Sequence, residues 1–184
     1  EGYVALRFSA DIPAMQEVVT RSVDPDGGGV QDMTLFCFDS YGLFTTTVEA
    51  KVTPTGNGAG LTGNFEAEVP ENTRTVHFLA NQNMSEFKED KFRNKSEAEV
   101  MALLEGSSGR MIYWARFTCD PDNDSKIDAQ MADKGNTIKM IRNHAQVSID
   151  NPINGWIEVT GFVAYNTNAF GTVAPYHPEK GFDF

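Results

Sequence analysis

Hydrophobic and polar residues alternate with period two along much of this chain. That is the mark of strands, whose successive side chains point to opposite faces. In 61–69, Leu61, Gly63, Phe65, Ala67 and Val69 share one face, and Thr62, Asn64, Glu66 and Glu68 share the other. A helix would spread the two sets around its circumference, whereas a half-buried antiparallel strand separates them. Val4, Leu6 and Phe8 alternate in the same way with Ala5, Arg7 and Ser9. The same pattern predicts strands over 44–52, 75–80, 111–117 and 157–165. In 75–80 it sets Val76 and Phe78 inward and His77 on the polar side. The stretch 30–38 is apolar on both faces, with Met33, Leu35 and Cys37 against Phe36 and Phe38. It is expected to be a central strand covered on both sides.

The punctuation between these segments completes an all-β reading. Asp39-Ser40-Tyr41-Gly42 and the stretch 54–58 (Pro-Thr-Gly-Asn-Gly) are turn sequences between alternating runs, so two consecutive hairpins form a meander. In 137–149 the apolar positions are first even (Ile138, Met140) and then odd (Ile141, Ala145, Val147, Ile149). A strand whose inward parity changes needs a bulge or bend, here placed between Ile141 and His144. One helical interlude interrupts the strands. Ser96 and Glu99 form a capping box, and Ala98, Met101, Ala102 and Leu104 follow at helical spacing up to Gly106. The charged run 85–95 carries Phe87 and Phe92 as apolar anchors. The long excursion from Ala80 to Met111 is expected to be a Greek-key connection from one sheet to the other. The fold class is therefore an antiparallel Greek-key β-sandwich with one short helix in a long crossover.

Composition narrows what such a domain can do. The chain has 184 residues, 40% hydrophobic and 22% charged, which is ordinary for one globular domain able to bury a core without metal or disulfide staples. Net charge is −11, from 26 acidic and 15 basic residues, so nucleic acid is not an expected partner. No apolar run is long enough to span a membrane as a helix. Glu1 leads almost directly into a strand with no leader-like pattern before it, as at a mature or trimmed end. Cys37 and Cys119 have no CxxC spacing and no histidine at ligand distance, which argues against zinc. A disulfide between them requires an oxidising compartment, and Cys37, mid-strand among apolar residues, reads better as a buried free thiol.

A search for chemistry finds little. The chain has no Gly-x-Ser-x-Gly elbow, phosphate-binding loop or dinucleotide fingerprint. His77, His144 and His177 have no nucleophile at a recognisable spacing and read as structural or exposed, so no catalytic residue is expected. The sharpest feature is Asp120-Pro121-Asp122-Asn123-Asp124-Ser125. Carboxylates of Asp120, Asp122 and Asp124 at spacing two suit Ca²⁺, but Ser125 stands where a calcium loop needs Gly, and Met131 where it needs Glu. An acidic loop between strands explains the same residues. Trp114 or Trp156, if exposed, could stack on sugars, although core packing is the usual use of such rings. Dispersed carboxylate pairs of the glycosidase kind leave no signature in sequence.

Six of these segments, taken in order, resemble the Bacteroidetes fimbrillin-like proteins, which are lipoprotein fimbrial subunits and anchors. Thr20-Arg21 precedes an acidic Gly-rich loop. The stretch 30–42 looks like that family's second strand, "I-x-x-L-x-x-F-x-F-D-x-x-G". Val76-His-Phe-Leu-Ala-Asn81 resembles "V-x-x-V-A-N", and Gly109-Arg-Met-Ile-Tyr-Trp114 stands where that family carries "P-M-x-G" or "G-R-M-x-Y-W". Ile138–Val147 looks like "V-x-L-x-R-x-x-A-x-V". Val159–Asn166 with Phe170–Pro175 resembles "G-x-x-x-x-N … G-x-x-x-P".

The resemblance implies a transthyretin-like sandwich, with 1–184 as the N-terminal domain of a longer two-domain subunit held at the outer membrane by a lipid anchor outside this chain. It also implies processing after Arg21 and exchange of the first strand (Val4, Leu6, Phe8) for that of another fimbrial subunit. The leading expectation is thus a non-enzymatic stalk, tip or anchor component of a surface fimbrium. The alternative is an adhesin module that binds host glycan or protein, with Ca²⁺ at the Asp120 loop as its only conceivable cofactor.

Overall fold

A computed structural model describes residues 2–12, 30–54, 63–82, 84, 89–106, 111–143, 160, 161, 163–165 and 171–184. Its main strands are β1 (Tyr3–Asp11), β2 (Met33–Phe38), β3 (Phe44–Glu49), β4 (Lys51–Pro54), β5 (Gly63–Pro70) and β6 (Thr75–Ala80). The helix α1 (Glu97–Ala102), the short strand β7 (Glu105–Gly106) and β8 (Tyr113–Thr118) follow. Next come α2 (Ile127–Asp133), β9 (Thr137–Lys139), β10 (Ile141–Arg142), β11 (Gly171–Thr172), β12 (Tyr176–His177) and β13 (Gly181–Phe182).

Two sheets make the sandwich, one ordered β4-β5-β1-β9 and the other β10-β8-β6-β2-β3. The all-β expectation holds. Alternation places β5 well: Gly63, Phe65, Ala67 and Val69 are buried, and Asn64, Glu66 and Glu68 are exposed. Their inward side chains meet Leu6, Phe8 and Ala10 of β1 and, from the facing sheet, Leu35, Cys37, Phe78, Ala115 and Phe117.

Both lateral corners are closed by a bent strand. β3 and β4 are one run that leaves one sheet for the other at Ala50, and β9 and β10 do the same at Met140. Each pivot residue is buried and keeps the backbone ladder intact. The Ala50 amide donates to the Met33 carbonyl (2.9 Å) and the Met140 amide to that of Asp11 (2.8 Å). The bend expected between Ile141 and His144 lies earlier, at Met140, where the chain crosses between sheets; Ile141, expected inward, is exposed, and 144–149 lie outside the described residues. The expected meander is likewise folded over the corner at Ala50. The Asp39–Gly42 turn forms as read: the Asp39 carboxylate accepts from the Tyr41 and Leu43 amides, and Gly42 takes φ +71°, where a Cβ would be strained.

The central strands of the five-stranded sheet are buried on both faces. Every residue of β2 and β6 is buried. One face meets the other sheet. The second is covered by a layer of Phe92, Val100, Met101, Leu104, Val173 and Ala174, packed on Phe36, Phe38, Leu79, Ile112 and Trp114. The excursion from Ala80 to Met111 builds much of this layer. It does not cross to the other sheet, because β6 and β8 are antiparallel neighbours in the same one. The capping box forms as expected: the Ser96 amide donates to Glu99 Oε2 (2.8 Å), and the Glu99 amide donates to Ser96 Oγ (3.4 Å). Phe92 is fully buried as the anchor of the preceding stretch.

Four further expectations need correction. A second helix, α2, follows the Asp120 loop, and its Ile127 and Met131 join the inter-sheet core. α1 stops at Ala102, short of Gly106, which instead pairs in β7 with Gly171. Within the strand expected over 157–165, the described residues 160, 161 and 163–165 lie in no strand and are exposed. His77, assigned to a polar face, is fully buried.

Candidate functional site

The first strand occupies the interior of its sheet. β1 pairs antiparallel with β5 from Tyr3↔Pro70 to Ser9↔Asn64, and parallel with β9 from Ser9↔Thr137 to Asp11↔Lys139. Leu6, Phe8 and Ala10 point into the core, and Val4 packs against it from a half-buried position. Phe8 is stacked on Phe65 of β5 (5.3 Å between ring centres) and edge-on to Phe78 of β6 in the facing sheet (4.9 Å). On the outer face Arg7 pairs with Glu66 at 3.1 Å, but both are largely in water and the pair adds little stability. Arg21 lies outside the described residues.

The acidic loop takes part in a cleft at one end of the sandwich, about 550 Å³ in volume. Asp120, Asn123 and Asp124 form one wall, the Asp39–Gly42 turn the other, and Arg74, Thr75, Thr118 and Cys119 also line it. Asp122 is exposed and does not line the cleft. Asp120 Oδ1 accepts from the Asp122 amide (3.0 Å) and Asn123 Oδ1 from the Ser125 amide (2.9 Å), so these side chains shape their own loop. Among the described residues no three His, Cys, Asp or Glu side chains gather as a metal ion requires.

Gln130, buried on α2, holds this loop from below. Its Oε1 accepts from the Asp120 amide (2.8 Å), and its Nε2 donates to the carbonyls of Asn123 (3.0 Å) and Ser125 (2.9 Å). One side-chain amide thereby satisfies three backbone groups. Sequence reading passed over Gln130, although a glutamine on a turn of helix just after an Asp/Asn-rich loop is a recognisable cue for it.

A buried polar chain runs through the outer layer. Trp114 Nε1 donates to His77 Nδ1 (2.9 Å). Since indole can only donate, His77 carries its proton on Nε2, which donates to Glu97 Oε1 (2.5 Å). Arg116 reaches the same carboxylate through Nε (2.6 Å) and Nη2 (3.3 Å). Burial depresses the pKa of His77 and favours the neutral ring, against the opposing pull of Glu97. Burial alone would raise that of Glu97, but hydrogen bonds and charge from His77 and Arg116 together hold it at about 2. Phe184 closes the site, edge-on to His77 (5.0 Å) and under the Arg116 guanidinium (5.2 Å). Both ring nitrogens of His77 are engaged, so the group locks α1 to β6 and β8. Trp114, a candidate for sugar stacking, is spent in this core. Trp156 and His144 lie outside the described residues, and His177 is exposed on β12.

Cys37 and Cys119 are both free and buried. Burial pushes the Cys37 thiol up to about 12, the state of an inert core residue.

No family model, no curated protein and no solved structure matches the chain.

Proposed function

We propose that this protein is a structural subunit, tip or anchor of a surface fimbrium, assembled by exchange of its first strand. The observation that carries this reading is the place of β1 between β5 and β9. An edge strand can leave its sheet and merely move the edge. Withdrawal of β1 would instead leave a slot bordered by unpaired β5 backbone along the positions of Tyr3 to Ser9 and by β9 at those of Ser9 to Asp11, floored by the sites vacated by Leu6, Phe8 and Ala10.

Such a slot asks for another strand of matching alternation. Main-chain hydrogen bonds would supply affinity, and the alternate pockets would supply register. The bent strand at Ala50 supports the same reading, because it ties β4 and β5 to the facing sheet without β1, whereas β9 pairs in its sheet only with β1. The resemblance of six segments to fimbrillin-like proteins supports the cell-surface setting and the processing at Arg21.

The test is to cleave at Arg21 with an arginine-specific protease, separate the released segment, and add a peptide of residues 3–11. Restored thermal stability supports exchange, with an uncut Arg21→Ala protein as control. A trimmed protein whose melting is unchanged by the peptide counts against it.

A further inference from the structure

We propose that the cleft between the Asp39–Gly42 turn and the Asp120–Asp124 loop is a binding site for a neutral, hydroxyl-rich ligand, a glycan. This is independent of strand exchange, since β1 contributes nothing to the cleft.

Tyr41 is the starting point. It sits on the turn at the cleft wall with 87% of its surface in water, the most exposed large hydrophobic residue among those described. It packs on no core, so its ring face is open to a ligand. The turn that carries it is held by the Asp39 carboxylate, which accepts from the Tyr41 and Leu43 amides at 2.8 and 3.0 Å.

The opposite wall is equally fixed. The three hydrogen bonds of Gln130 set the backbone of Asp120, Asn123 and Ser125 in place before any ligand arrives. Preorganised walls lower the ordering cost of binding. The volume, about 550 Å³, falls in the range of small-ligand clefts, roughly 300–1,000 Å³.

The lining selects the ligand class. Asp39, Asp120 and Asp124 present carboxylate oxygens and Asn123 a side-chain amide, Arg74 presents a guanidinium whose Nη1 also donates to the Glu71 and Thr73 carbonyls, and the Thr75 and Thr118 hydroxyls bond each other at 2.8 Å. An anion would face three carboxylates, and a cation would face the Arg74 guanidinium already in the wall. A polyol, which donates and accepts through adjacent hydroxyls without net charge, meets neither penalty. Tyr41 then has the role aromatic rings take against the C–H face of a sugar, whose weakly positive hydrogens suit the negative ring face.

The experiment is amide-resolved NMR titration of the whole chain with methyl α-mannoside, methyl β-galactoside and N,N′-diacetylchitobiose, with trilysine and N-acetylneuraminic acid as charged comparisons. The expected result is saturable shifts by at least one neutral saccharide at Tyr41, Gly42, Thr118 and Asn123. Tyr41→Ala is expected to weaken that binding about tenfold. Because Tyr41 makes no core contact, this variant should melt with the wild type, which separates lost binding from lost folding. The proposal is overturned if no neutral saccharide shifts these amides, if trilysine alone does so, or if Tyr41→Ala binds as tightly as the wild type.

Discussion

The ring of Phe8, on the first strand, stands edge-on to that of Phe78 at 4.9 Å, across the gap between the two sheets. The first strand is therefore part of the core. Truncating this contact tests its weight directly. Phe8→Ala is expected to lower unfolding free energy by about 3–5 kcal/mol, the usual range for a buried phenylalanine. Arg7→Ala, on the outer face of the same strand, should cost under about 1 kcal/mol. Urea denaturation of the two variants checks the contrast.

The strand pattern was legible where one face of a strand meets core and the other meets water. β5 and β1 satisfy that condition, and their inward residues were identified from alternation alone. His77 did not satisfy it. Its sheet is covered on both sides, so opposite parity to Val76 and Phe78 means a second core rather than solvent. The polar chain from Trp114 through His77 and Glu97 to Arg116 joins residues distant in sequence, and spacing holds no trace of it. α2 was missed for a local reason: it is seven residues long, and Lys126 at its N-cap makes no side-chain capping bond, unlike Ser96 at α1. The Asp120 loop was singled out correctly as a surface feature, but its partner across the cleft, the Tyr41 turn, comes from a different hairpin.

The buried chain makes stability depend on pH. The folded pKa of His77 lies below its ordinary 6.5, so the unfolded state takes up a proton first as pH falls. Its contribution is fully present above 6.5 and is lost as pH falls from there through the folded value. Glu97, held at about 2 against an ordinary 4.5, follows the same sign lower down. Its contribution is present above 4.5 and is lost between 4.5 and about 2. Denaturation midpoints across this range should fall in two stages, and Glu97→Gln should flatten the lower one. A profile identical in Glu97→Gln would refute the assignment.

Gln130 offers a separable test. Gln130→Ala leaves the Asp120 amide and two carbonyls without their partner, at an expected cost of about 1–3 kcal/mol. Hydrogen exchange should quicken most at the Asp120 amide, which loses its acceptor, while β1 and β5 amides stay protected.

The two thiols should be silent in the native state. A buried thiol held near 12 is almost wholly protonated at neutral pH, and alkylation needs the thiolate. Cys37 should resist iodoacetamide until the protein unfolds, and intact mass should show two free thiols. Rapid native labelling of Cys37 would contradict its placement in the core.

The central claim is that the β1 slot accepts a strand in a fixed register. The direct measurement is the melting temperature of protein cleaved at Arg21 and freed of its first segment, with two peptides added in turn. One carries residues 3–11 as they stand; the other has the same residues with inward and outward positions interchanged. The native peptide is predicted to raise the melting temperature by several degrees, at about 2–4 °C per kcal/mol regained, and the interchanged peptide to leave it unchanged. Equal effects of the two peptides, or no effect of either, would contradict the account.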